Sequence, residues 1–276
     1  MRHRPTTTQP AGTLTRARLA ALPTSTIWPL PAGAALVPVA ARIAAACTPP
    51  GALVALVDPP TVGGVFQTRD GQWAARLVTA VRAVAEFGRR PLAVLDSRAD
   101  ADRLTTALAE DHQRSVPIHV TGHHPGPQAD LAITAICPHP RLAPVITAAA
   151  GQWARLLAPG GILAVHIRTA TDSNGQLLDP TGEVVTAAQH AGLHYLQHII
   201  ALRVPITDGQ LQVEPTPAQQ ASLRHAAVLG WPARHLPVHE DLVLFTRTGA
   251  TRPAWTQPEI TAPADDHPAG QETRHA

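Results

Sequence analysis

The sequence predicts an α/β fold built on an open, mostly parallel β-sheet with helices on both faces. Three observations predict it. Short continuous apolar runs at 53–57, 92–95, 131–135 and 162–167 have the length and character of strands buried on both faces, as strands of a parallel sheet are. The segments between them carry apolar residues at helical spacing and end in Gly or Pro stop signals. Residues 130–168 then read as a complete unit, DLAITAICPHP, GQWARLLAPGG and ILAVHIR, in which a crossover helix joins two parallel strands. Open parallel sheets bind ligands at the carboxyl ends of their strands, so chemistry is expected at the loop 135–140.

Bulk properties narrow the possibilities. A length of 276 residues suits one α/β domain, expected at 26–248, between flexible tails at 1–25 and 249–276 that are rich in Pro, Thr and charge. Aromatics make up only 3% of the chain against 45% hydrophobic residues overall, so the core must come from Ala, Val, Leu and Ile. The net charge of +2, with every basic residue an Arg, is no electrostatic footprint for nucleic acid by itself, although it allows a local basic face. Cys47 and Cys137 lack paired spacing, which argues against a disulfide framework or structural zinc and suits a reducing cytoplasm. No signal-peptide pattern or membrane-length apolar run is present, and no membrane partner is expected.

In chain order, Ile27-Trp28-Pro29-Leu30-Pro31 leads into a helix at 36–47, stopped by Thr48-Pro49-Pro50-Gly51. The first strand follows at 53–57. A helix at 73–87 stops at Gly88, and the second strand, 92–95, ends in Asp96. In nucleotide-binding α/β folds an acidic residue at this point accepts hydrogen bonds from both ribose hydroxyls. Asp96 has that place, and it would equally serve as the first turn or cap of the next helix, 99–112. A third strand is expected at 116–120. His123 and His124 lie in the following loop, but adjacent histidines point apart and no spaced ligand set accompanies them, so no metal site is expected.

The fourth strand, 131–135, opens into Ala135-Ile136-Cys137-Pro138-His139-Pro140. A helix at 141–157 turns Trp153, Leu156 and Leu157 toward the sheet and is ended by Pro159-Gly160-Gly161 before the fifth strand at 162–167. A polar turn at 169–176, a helix at 179–191, a sixth strand at 195–204, a weak helix at 219–229 and a closing strand at 242–247 complete the domain.

Three of these segments carry a resemblance. The loop Asp58-Pro59-Pro60-Thr61-Val62-Gly63-Gly64, the hinge LLAPGGILAV and the closing strand preceded by His239-Glu240 are similar to parts of class I S-adenosyl-L-methionine (SAM)-dependent methyltransferases. The nearest match is to the DNA methyltransferases of exocyclic amino groups and their RNA-acting relatives. The likeness runs from about residue 27 to 247 and implies a Rossmann-like, seven-stranded, mostly parallel sheet with an antiparallel last strand and helices on both faces. It implies that Asp58, Gly63, Gly64 and Asp96 hold SAM, with Gly64 on the second glycine of the family's loop and Val62 on the first. Read without the resemblance, the same loop is an ordinary Pro-Gly turn.

The resemblance also implies that Cys137, Pro138 and His139 are the candidate catalytic residues and that DNA or RNA is the partner. Amino-methyl transfer needs an acceptor aimed at the amino group and an aromatic plane under the base. Ile136 stands at the acceptor position on one alignment, while His139 could stack a base and Pro138 would stiffen the loop. Cys137 has no visible activating partner and reads as a structural thiol. Three function classes therefore stay open: a methyltransferase derived from a nucleic-acid amino-methyltransferase, a catalytically inactive scaffold of that fold binding nucleic acid or protein, and a small-molecule methyltransferase.

Overall fold

The computed structural model describes residues 27–29, 36–60, 73–110, 116–121, 128–139, 142–172, 176–230, 236 and 238–248. Its centre is an eight-stranded sheet. In chain order the sheet strands are β1 (Ile27–Pro29), β2 (Leu53–Val57), β3 (Arg90–Leu95), β4 (Ile118–Val120), β5 (Ala129–Ile136), β6 (Leu157–Ile167), β9 (Leu193–Leu202) and β12 (His239–Arg247). They lie in the spatial order β1-β9-β12-β6-β5-β2-β3-β4. All neighbours pair parallel except β12, which runs antiparallel between β6 and β9. The fold is the Rossmann-like α/β arrangement the sequence implies.

Alternation along each strand divides the core in two. On one face Val54, Leu56, Leu131, Ile133, Ile162, Ala164, Leu242 and Leu244 pack under α1 (Leu36–Cys47), α2 (Trp73–Glu86) and α3 (Arg98–Glu110). On the other, Ala55, Ala132, Leu163, Val165, Val243 and Phe245 pack under α4 (Ala143–Leu156) and α5 (Thr181–His190). Trp153 of α4 is one of the largest fully buried side chains and anchors this second layer, as its helical spacing predicts.

Four expectations need correction. The sheet has eight strands and not seven, because Ile27–Pro29 adds to its edge beside β9. Trp28 is buried there, with the Arg42 guanidinium 4.8 Å from its ring centroid. The predicted hinge lies inside β6: the helix ends at Leu156 and the strand begins at Leu157, before Pro159-Gly160-Gly161. Pairing runs from Ala129↔Leu157 directly to Leu131↔Ile162, so the Pro-Gly-Gly segment bulges out of the ladder. Gly160 sits at φ +75°, and a Cβ on Gly161 would lie 2.8 Å from the Ala158 carbonyl oxygen and 2.9 Å from that of Ala129. Only glycine fits both positions.

The sixth expected strand begins two residues earlier, at Leu193, and ends at Leu202. Finally, the stretches on either side of β9 contain two small antiparallel ribbons. β7 (Ala170–Thr171) pairs with β8 (Leu177–Leu178), and β10 (Ile206–Thr207) pairs with β11 (Gln210–Leu211). The second ribbon turns on Asp208 at φ 50° and Gly209 at φ 74°, the conformations that an Asp-Gly hairpin turn requires. The weak helix is α6 (Pro217–Val228), opened by a capping box between Thr216 and Gln219. The expected tails at 1–25 and 249–276 lie outside the described residues.

Candidate functional site

The carboxyl ends of the parallel strands form one rim of the sheet, and most of the predicted site residues meet there. Asp58 follows β2 directly, and its backbone N–H donates to the Val94 carbonyl of β3 (2.8 Å). Its side chain is buried. Asp96 follows β3 on the adjacent strand and is exposed. Because β5 pairs parallel with β2 on the other side, Cys137, Pro138 and His139 leave the sheet at the same edge. Gly63 and Gly64, together with His123 and His124, lie outside the described residues.

The two readings of Asp96 separate here. Helix α3 is capped by Ser97, whose Oγ accepts from the Asp100 backbone N–H (3.1 Å) and donates to Asp100 Oδ2 (2.5 Å). Asp96 instead accepts from the Thr121 hydroxyl at the end of β4 (3.1 Å). A carboxylate has about four lone-pair sites, and Asp96 presents its exposed one at the rim, where ribose hydroxyls could donate to it. In that respect the rim fits an adenosyl cofactor.

The loop after β5 leaves the sheet at this rim. Ile136, the residue standing where an amino-group acceptor is expected, is the last paired residue of β5 and is fully buried in the core under α4. The next residue, Cys137, is half-buried and turns to the opposite face. Burial pushes its thiol pKa up, the neighbouring Arg168 guanidinium opposes that, and Glu240 adds to it. His139 is exposed, and its carbonyl accepts from the Leu142 N–H (3.1 Å) at the entry to α4.

Those neighbours of Cys137 form a cluster that sequence reading alone did not find. Glu240 near the start of β12 is 5% exposed, and its Oε2 lies 2.6 Å from Nε2 of the buried His166 on β6. Its Oε1 takes Arg203 Nη1 (3.1 Å) and Arg168 Nε (3.4 Å). Because β12 runs antiparallel, its start falls at the same rim as the ends of β6 and β9, which deliver Arg168 and Arg203. Burial raises the Glu240 pKa, but the His166 hydrogen bond and the charges of His166, Arg203 and Arg168 together hold it below the ordinary carboxylate range. The signal for this cluster is a histidine and an acidic pair inside strands that are otherwise apolar on both faces, since a buried polar residue is the informative one.

On the opposite face Asp241 pairs with His198 (2.7 Å) and, more distantly, with His239 (3.7 Å). Among the described residues no group of three or more His, Cys, Asp or Glu side chains could hold a metal ion. No helix among them is long and apolar enough to cross a membrane.

Neither a known protein family nor a curated protein matches the sequence. Similar solved structures include the cyclase SpnF, 14% identical over 83% of this chain and 90% of that chain, with a TM-score of 0.47. A TehB-like SAM-dependent methyltransferase from Corynebacterium glutamicum is 13% identical over 76% of this chain and 87% of that one, with a TM-score of 0.40. Magnesium protoporphyrin IX methyltransferase from Synechocystis, with bound SAM, is 10% identical over 76% of each chain, with a TM-score of 0.41. All three likenesses are distant, and the strand order itself defines the fold.

Proposed function

We propose that this chain is a SAM-dependent methyltransferase whose methyl donor and acceptor meet at the carboxyl rim of the sheet. The observation that carries this reading is the antiparallel β12 set between β6 and β9, which brings Glu240 to the rim already occupied by Asp58, Asp96 and Cys137-Pro138-His139. Bound SAM would supply an electrophilic methyl group. Asp96 accepts from the ribose hydroxyls, and the loop carrying Gly63 and Gly64 is the segment whose backbone would approach the cofactor. Pro138 stiffens the acceptor loop, and His139 offers a ring on which an acceptor base could stack.

The acceptor class follows from the resemblance to exocyclic-amino methyltransferases and is DNA or RNA. One observation favours a second reading. Ile136 turns into the core and Cys137 keeps its proton, so the loop start offers no strong acceptor for an amino group, as in a nucleic-acid-binding scaffold without turnover. A small-molecule acceptor, for which that hydrogen bond matters less, is the remaining enzyme class.

Calorimetric titration of the full chain with SAM and with its demethylated product tests the proposal. Binding by the wild-type protein that Asp96→Ala weakens about tenfold, the worth of one good hydrogen bond to a charged group, is the expected result. No binding of either compound by the wild-type protein would remove both enzyme readings and leave the scaffold. Methyl incorporation into DNA, tRNA or a metabolite pool then chooses among acceptors.

A further inference from the structure

Two arginines converge on one carboxylate oxygen at this rim. Arg168 stands one residue beyond the end of β6 and Arg203 one residue beyond the end of β9, and both point at Oε1 of Glu240. Glu240 is buried, whereas Arg168 is 50% exposed and Arg203 25% exposed. The other carboxylate oxygen is taken by His166. Two guanidinium charges thus face one carboxylate.

Arg168 is the half of this pair turned toward the chemistry. Its backbone N–H donates to the Ile136 carbonyl (3.0 Å), so Arg168 and Cys137 leave neighbouring strands side by side. Only its Nε is engaged by Glu240, which leaves the two terminal amino groups without an acceptor among the described residues. Such a planar fork matches the two oxygens of a carboxylate or phosphate. A buried acid 3.4 Å from its Nε restricts the guanidinium's direction before any ligand arrives, and that lowers the entropic cost of binding.

We propose that Arg168, aimed by Glu240, receives an oxyanion group of the acceptor substrate, either a phosphate ester or a carboxylate. This rests on the methyltransferase reading only for the word acceptor; the oxyanion site itself stands on the cluster. Arg203 is a positioning residue that shares Glu240 and keeps the site cationic.

The test titrates the full chain with inorganic phosphate and, separately, with succinate, in the wild-type protein and in Arg168→Gln and Arg168→Lys. The expected result is saturable binding that Arg168→Gln weakens at least about tenfold, the loss of a charge-assisted pair. Arg168→Lys should fall between, because it keeps the charge and loses the fork. Thermal melts of each variant show whether it is folded, and the half-exposed position predicts that all are. Preference for phosphate over succinate identifies a phosphate ester as the natural group, and the reverse a carboxylate. Equal binding by wild type and Arg168→Gln overturns the proposal, as does no binding of either anion by the wild-type protein at about 10 mM, a Kd beyond useful recognition. Failure here with intact SAM binding leaves the methyltransferase reading standing, while anion binding without SAM binding does the opposite.

Discussion

His166 Nε2 and Glu240 Oε2 lie 2.6 Å apart, both buried, and join strands separated by 74 residues of sequence. The contact exists only because β12 inserts beside β6. A buried carboxylate with three cationic or hydrogen-bonding partners is costly to break from one side, since the partners stay buried without it. Glu240→Gln should therefore destabilise the fold by about 3–5 kcal/mol near neutral pH, measured by denaturant unfolding.

The same pair gives a pH signature with a definite sign. Burial pushes the Glu240 pKa up, but His166, Arg203 and Arg168 outweigh it and hold the folded-state value below the ordinary 4.5. A carboxylate whose folded pKa is depressed contributes stability that is fully present above its unfolded pKa and is lost as pH falls through the folded one. The stability gap between wild type and Glu240→Gln should shrink as pH falls below about 4. A gap that persists unchanged to about pH 3 would mean that shape, and not charge, holds the strands together.

The Pro-Gly-Gly bulge makes a second prediction. A methyl group on Gly161 would meet two backbone carbonyl oxygens at 2.8 and 2.9 Å, and backbone cannot swing aside as a side-chain end can. Gly161→Ala should cost about 1–3 kcal/mol, while Gly182→Ala on helix α5, with open space around its Cβ position, should be neutral or stabilising by up to about 1 kcal/mol. Melting temperatures of the two variants check the contrast.

The bulge also shows what the sequence could and could not carry. Pro159-Gly160-Gly161 marks a break in both pictures, but a stop signal does not say whether helix or strand is being interrupted. The buried strands 53–57, 92–95, 131–135 and 162–167 were legible because a sheet covered on both faces needs unbroken apolar runs. Ile27–Pro29 was not legible as a strand, since three residues hold no period, and the Asp208-Gly209 hairpin carried its turn signal between strands of only two residues each. Asp58, Asp96 and Cys137 could be placed on one rim because each directly follows a recognisable strand. His166, Arg168, Arg203 and Glu240 could not be joined from sequence, because their contacts depend on the order of β6, β12 and β9.

Asp96 and Ser97 are neighbours with separable roles. Ser97 caps α3, and Ser97→Ala should lower stability by about 1 kcal/mol with cofactor affinity unchanged. Asp96→Ala should do the reverse, because the helix cap is made by Ser97 and the exposed Asp96 carboxylate faces Thr121 across the rim. Paired melts and calorimetry distinguish them; loss of stability in Asp96→Ala equal to that in Ser97→Ala would return Asp96 to the helix.

The two cysteines report on the rim directly. Burial pushes the Cys47 thiol pKa up to about 12, so it should resist alkylation until the protein unfolds, whereas half-buried Cys137 should be the residue modified in the native state. Thiolate is the reacting form, and Arg168 lowers the Cys137 pKa while Glu240 and burial raise it. Arg168→Gln should therefore slow native alkylation of Cys137 and Glu240→Gln should speed it, followed by mass spectrometry at mildly alkaline pH in folded samples. Opposite changes in rate place Arg168 and Glu240 beside Cys137 as the structure has them. Rates that shift in the same direction would reflect general loosening of the loop, and the rim would then not be the shared site of all three residues.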